Sequence, residues 1–270
     1  MGIFDYEFMR NAFAAATIVA IVSGSIGYFL VLRGETFAGH ALSHVGFPGA
    51  TGAVLIGLSP FLGLTAFTVI AGLGISLIGE KANRDVAIGL VLTVSLGLGL
   101  LFLHFYTAYA GMATNLLFGN VLGISVQTVL VLLGMAVVTL LGLLAISRPL
   151  LFASLQPELA EARGVPVGLL SAAFMVIVAL TTAQAIQIVG VLLVFALMVA
   201  PAATALRLTR RFVTGIALSV GLAVGIAWAS LLLAYFTDWP TSFWITLLGG
   251  IAYALSHVRA WLATRREVLA

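Results

Sequence analysis

Residues 33–51 read RGETFAGHALSHVGFPGAT, and the interpretation of the whole chain turns on them. The stretch follows a long apolar run and carries two of the four histidines, His40 and His44. Their spacing of four predicts a helix with both imidazoles on one face, Cβ atoms about 5–6 Å apart. Neutral imidazoles so placed are good ligands for a divalent transition metal. The chain beyond is apolar again, so the pair is expected at membrane depth, where ionisable groups are costly and mark function.

Hydrophobic residues make up 62% of the 270 and charged residues 8%, with a mean hydropathy of +1.22. A soluble domain carries about 25% charged residues, so this composition excludes a water-facing globule. The apolar runs are longer than the roughly ten-residue alternating strands of a membrane barrel. The expected fold is all-α: a polytopic transmembrane helical bundle of about eight or nine spans, one domain over residues 1–270. The absence of cysteine excludes disulfides, thiolate metal sites and thiol catalysis. The net charge of +3 lies in small basic groups between apolar runs, the positive-inside pattern and not a nucleic-acid footprint. Residues 12–32 exceed a signal-peptide core and lack a small-residue cleavage site after them, so they are expected to remain as the first span.

Further spans are expected at residues 36–58, 60–78, 86–103, 126–146, 168–185, 186–206 and 212–236, with a last one ending near Ser256. Residues 104–125 predict a short interfacial or re-entrant helix, and residues 147–167 a polar connection. With nine spans, Lys81 and Arg84, Arg148 and Arg163, Arg207, Arg210 and Arg211, and Arg259, Arg265 and Arg266 all fall on one side. That side is expected to be cytoplasmic and to hold the C-terminus, which places the N-terminus outside. Gly221 and Gly225, and Gly89, Gly97 and Gly99, have the spacing of close helix packing or dimerisation.

The motif HALSH has the paired histidines of a zinc-protease helix, but Ala41 stands where the water-activating Glu would be. A metal here would be held or passed on, not used for hydrolysis. The plain alternative is that both rings hydrogen-bond to neighbouring helices. Pro48 cannot donate to the carbonyl of His44, which leaves a backbone oxygen beside the imidazole; an ordinary packing kink is the other reading. Two ligands are fewer than the about four that zinc takes, and weak holding suits a carrier that must release. Glu35 could support the site from behind, and a pairing with Arg33 is the favoured reading.

Residues 154–166, SLQPELAEARGVP, predict a short amphipathic helix with Glu158 and Glu161 early, Arg163 late, Gly164 as its cap and Pro166 beyond. It could be a solvated connector or a docking knob for a soluble partner. Gln184 and Gln187 lie about a turn apart in an apolar run, where amides bridge helices more often than they line a pathway. The nearest match to a phosphate loop, GISLIGEK at residues 74–81, is interrupted by Glu80. Every Asp and Glu falls near a span end or in a connection, so the chain shows neither an ATPase nor the mid-span carboxylates of a proton- or sodium-driven carrier.

Three blocks together resemble the membrane permeases of bacterial zinc, manganese and iron ABC importers. They are FLVLRG at residues 29–34 with FAGHALSH at 37–44 and Pro48-Gly49, then SLQPELAEARGVP at 154–166, then QIVGVLLVFALMVAPAATA at 187–205. The resemblance implies a fold like that of type II ABC importers. It also implies a homodimer or a pair of related permeases, cytoplasmic ATP-binding subunits that hydrolyse ATP, and an extracytoplasmic metal-binding protein. Carried over, the ligand pair falls on His40 and His44, and the ATPase-facing segment on Pro157, Glu158, Ala160, Glu161 and Gly164. Many relatives have Asp at the position of His40, as GDALSH. Two imidazoles lean toward zinc over manganese, because hard ions prefer carboxylate oxygen. The expected function is the permease subunit of an ATP-driven importer of divalent metal in the bacterial inner membrane. The rivals are a stand-alone secondary carrier, a permease for metal chelates, and an intramembrane enzyme, for which no nucleophile–base pair or HExxH is present.

Overall fold

The computed structural model describes residues 3–79, 83–105, 119, 121–191 and 193–269. Among them the chain forms ten α-helices and no strand. These are α1 Glu7–Leu32, α2 Thr36–Leu55, α3 Pro60–Gly79, α4 Arg84–Phe105, α5 Val126–Leu155, α6 Pro157–Ala162, α7 Val167–Val189, α8 Val194–Leu208, α9 Phe212–Thr237 and α10 Thr241–Leu269. Seven of these (α1, α3, α4, α5, α7, α9 and α10) are long and apolar enough to cross a membrane. Helix α2 has 20 residues, but its histidines, proline and glycines lower its hydropathy, and α8 has only 15. Both run inside the bundle, in keeping with the expected eight or nine passes.

The helices are apolar nearly all round, as membrane helices are. Helices α1 and α7 form the axis, 67% buried over their apolar windows, whereas α4, α5 and α10 are 22% buried. Helix α1 packs on α5, α7, α8 and α9, while α7 touches α1, α2, α3 and α5. The outer face of α5 shows Leu130, Val138, Leu141 and Leu144, a stripe that suits lipid.

Close approach depends on glycine at a few points. A Cβ at Gly27 would collide with the Met198 carbonyl of α8, and one at Gly24 would meet the α9 backbone at Val220, 2.8 Å away. Beside it, Ser219 donates to the Gly24 carbonyl at 2.7 Å. Gly49 and Gly63 bring α2 and α3 together in the same way. Among the described residues of one chain, a Cβ at Gly89, Gly97, Gly221 or Gly225 would meet nothing within 4 Å, so these glycines do not serve packing between its own helices; of that group only Gly99 makes contact, with Phe47 and Pro48.

Three boundaries differ from the sequence reading. Helix α5 continues through Pro149 to Leu155, because Leu150 and Ala153 are buried and their packing offsets the bond that proline removes from Ala145. Helix α7 runs unbroken through Thr181, Gln184 and Gln187 and ends at Gly190, whose φ of 78° opens the chain toward α8. Helix α2 stops at Leu55, before Gly57 at φ 75°. The expected re-entrant helix at residues 104–125 lies largely outside the described residues, as do Glu80 and Lys81; residues 74–79 are helical.

Replacing Gly27 by Ala is expected to lower the stability of the detergent-solubilised protein by about 1–3 kcal/mol through overpacking. Gly134→Ala, on α5 with no atom within 4 Å of the added carbon, should be neutral or stabilising by up to about 1 kcal/mol. Thermal unfolding followed by size-exclusion chromatography measures both.

Candidate functional site

The tight α1–α2 turn places the histidines. Gly34 adopts φ 69°, and the Glu35 amide donates back to Leu30 at 2.9 Å, so the chain turns within three residues and α2 leaves α1 to pack on other helices. Gly39 faces Leu30 across this turn. Helix α2 is then enclosed by α3, α4, α7 and α8.

His40 and His44 lie on one flank of α2 with ring centroids 4.8 Å apart and planes at 77°. The edge of Phe195, from α8, packs on His40 at 5.2 Å. Both histidines are half-buried. Nδ1 of His40 is buried and has no hydrogen-bond partner, so the ring is not held by a neighbouring helix through that nitrogen. Ser43 donates to the His40 carbonyl at 2.7 Å and is itself occupied. Pro48 is buried within the helix, leaving the His44 carbonyl without the donor four residues on. Among the described residues no cluster of three or more His, Asp or Glu side chains converges. What this chain offers is two nitrogen donors.

Glu35 makes the pairing favoured from the sequence. It pairs with Arg33 at 2.9 Å, with side chains only 2% and 8% exposed. The favoured pairing is therefore present, but buried, where an interfacial charge was expected. Gln184 bridges helices as anticipated: its Nε2 donates to Thr139 of α5 at 2.9 Å and to the Leu180 carbonyl at 3.2 Å. Gln187, one turn on, is half-buried.

Helix α6 has the expected form. Pro157 starts it and Glu158 lies in its first turn. Gly164 closes it at φ 79°, with the Val165 amide donating to the Ala160 carbonyl at 3.0 Å. Pro157, Glu158, Glu161 and Gly164 are exposed, whereas Ala160 is fully buried against the bundle. Four of the five residues of this segment thus face outward and the fifth anchors the helix. A separate cavity of about 440 Å³ opens at the other end of α1, lined by Phe8, Tyr235, Asp238 and Trp239 among others; Asp238 alone among these is a metal-ligating type, and the cavity is remote from the histidines.

Helices of membrane length wrapped around α2, with a short capped helix docked on the bundle, define a multi-pass α-helical membrane protein. The chain belongs to the ABC 3 transport family, whose model matches residues 5–260. It is 34% identical to the manganese transport system membrane protein MntC of Halalkalibacterium halodurans, over 93% of this chain and 87% of that one. The manganese import system permease protein ScaB of Streptococcus pneumoniae is 30% identical, over 94% of this chain and 91% of that protein. Among solved structures, PsaBC from Streptococcus pneumoniae in complex with Fab matches with TM-score 0.85 and 29% identity, covering 94% of this chain and 92% of that one. The chain is accordingly a permease subunit of an ABC transporter, with the helical architecture expected from its sequence.

The bridge from Gln184 to Thr139 predicts a modest structural role. Gln184→Leu should lower the unfolding free energy by about 1 kcal/mol or less, read as a small drop in melting temperature. Thr139→Ala should produce a similar drop, and the double variant less than the sum.

Proposed function

We propose that this chain carries a divalent transition metal ion, zinc or manganese, inward across the bacterial cytoplasmic membrane. It works as a dimer with cytoplasmic ATP-binding subunits and takes its ion from an extracytoplasmic binding protein. The whole of residues 1–270 serves as one permease domain with its C-terminus in the cytoplasm. The observation that carries this reading is the paired imidazoles of His40 and His44, 4.8 Å apart inside a greasy bundle, with the Nδ1 of His40 unengaged. Buried polar nitrogens are seldom left without a partner, and two neighbouring ones fit a cation. Two ligands hold an ion loosely, and a carrier must let go. The manganese names of the relatives support the class of cargo, while nitrogen donors favour zinc.

Force comes from outside the chain. Glu158, Glu161 and Gly164 on the exposed side of α6 are the surface for the ATP-binding subunits, with buried Ala160 fixing α6 to the bundle. Binding and hydrolysis of ATP there would rearrange the helices and expose the histidine pair alternately to the two sides.

In proteoliposomes containing the assembled complex, His40→Ala with His44→Ala is expected to abolish ATP-dependent uptake of Zn²⁺ and Mn²⁺ while assembly persists. Unimpaired uptake in that variant would remove the site, and uptake by this chain without ATP-binding subunits would make it a stand-alone carrier. His40→Asp substitutes oxygen for nitrogen and should raise the ratio of Mn²⁺ to Zn²⁺ uptake by about tenfold, measured by competition between the two ions.

A further inference from the structure

Arg33 occupies an unusual position. It ends α1 as the C-cap residue, yet its guanidinium is directed inward. Nε and Nη2 both lie 2.9 Å from Oε1 of Glu35. Nη2 also donates to Ser171 of α7 at 2.9 Å, and Nη1 to Ser154 of α5 at 3.3 Å. The ring of Phe174 packs against the same group, 5.5 Å from centroid to Cζ. Ser154 spends its own proton on the Leu150 carbonyl, so its oxygen is oriented to accept from Arg33.

These partners sit at informative places. Ser154 precedes the first residue of α6 by three positions, and Ser171 follows the α6–α7 connection in the first turns of α7. Helix α6 packs on α5 and α7, the two helices that carry these serines. Glu35 is the N-cap residue of α2, five residues before His40. One planar, rigid fork thus grips both flanks of α6 and the base of the histidine-bearing helix.

Stability alone is a poor account of this arrangement. A buried ion pair is often no better than well-packed apolar residues in its place. Its distinguishing property is direction: a guanidinium with its donors spread over three elements cannot stay satisfied when those elements shift relative to one another. If α6 is displaced, Ser154 and Ser171 move with it, and Arg33 must follow them or release them. Following them pulls Glu35 and shifts α2 at its base, the end that carries His40 and His44.

We propose that Arg33 is a positioning residue for transport, the link that converts displacement of α6 into movement of the His40–His44 flank. This inference rests on the permease reading above. The test uses proteoliposomes with the assembled complex, in which Mn²⁺ or Zn²⁺ uptake and ATP hydrolysis are measured in the same vesicles. Arg33→Gln is expected to lower the metal moved per ATP hydrolysed by about tenfold. Arg33→Lys, which keeps the charge opposite Glu35 but not the fork, should fall between. Ser154→Ala with Ser171→Ala keeps the ion pair intact and should also lower the ratio several-fold. That variant decides the matter where Arg33→Gln fails to assemble. A ratio within twofold of wild type in the serine variant overturns the link, as does a loss of uptake and hydrolysis in equal proportion. Wild-type complex that moves neither metal overturns the functional reading and the link together, whereas wild-type uptake with an unchanged ratio in the serine variant overturns the link alone.

Discussion

Two imidazoles and a proline on one helix are tolerable in hydrocarbon only when protein surrounds them. Unsatisfied polar groups in the membrane interior cost several kcal/mol each by general estimates, and this constraint organises the bundle. Helix α2 is less apolar than its neighbours, so α3, α4, α7 and α8 close around it. The glycines that matter are those that let this enclosure tighten: Gly49 against Gly63 for α3, and Gly27 against Met198 for the packing of α8 on α1. The most apolar helices, α4 and α5, are left to face lipid, where burial between helices offers little gain over contact with acyl chains.

Much of this was legible in the sequence because the signals are local. The i, i+4 histidines need only a helix to come together, and they do. The short helix α6 carries its own start and stop in Pro157 and Gly164, with the exposed glutamates between them. The composition excluded every soluble architecture before any element was placed. What could not be read depends on partners distant in the chain. The serines that receive Arg33 are 121 and 138 residues away, and no local pattern links them. Likewise, the inward turn of Ala160 is set by the bundle beneath it. Glycine spacing at Gly221 and Gly225 does not mark packing within this chain, because both face outward, and a spacing alone does not say which side of a helix meets another.

Of the three shifted boundaries, that of α5 has a local cause. The polar connection expected from Ser147 does not begin there, because Ser147 bonds back to the Leu144 carbonyl of its own helix; inside α7, Thr181 does the same to the Ile177 carbonyl. A hydroxyl that caps its own helix carbonyl is silent as punctuation. The chain turns where backbone conformation demands it, at Gly190, and not where polarity rises.

The length of α5 has a consequence of its own. Thirty residues at 1.5 Å each span about 45 Å, whereas the hydrocarbon layer is about 30 Å thick. Even with an ordinary tilt, roughly two or three of its turns lie beyond the hydrocarbon layer. Taken at its C-terminal end, that excess carries Arg148, the exposed Leu155 and α6 into the polar zone outside the hydrocarbon, with Leu150, Ala153 and Ala160 still packed on the bundle. A helix that outruns the hydrocarbon in this way delivers its far end to the level of headgroups and water.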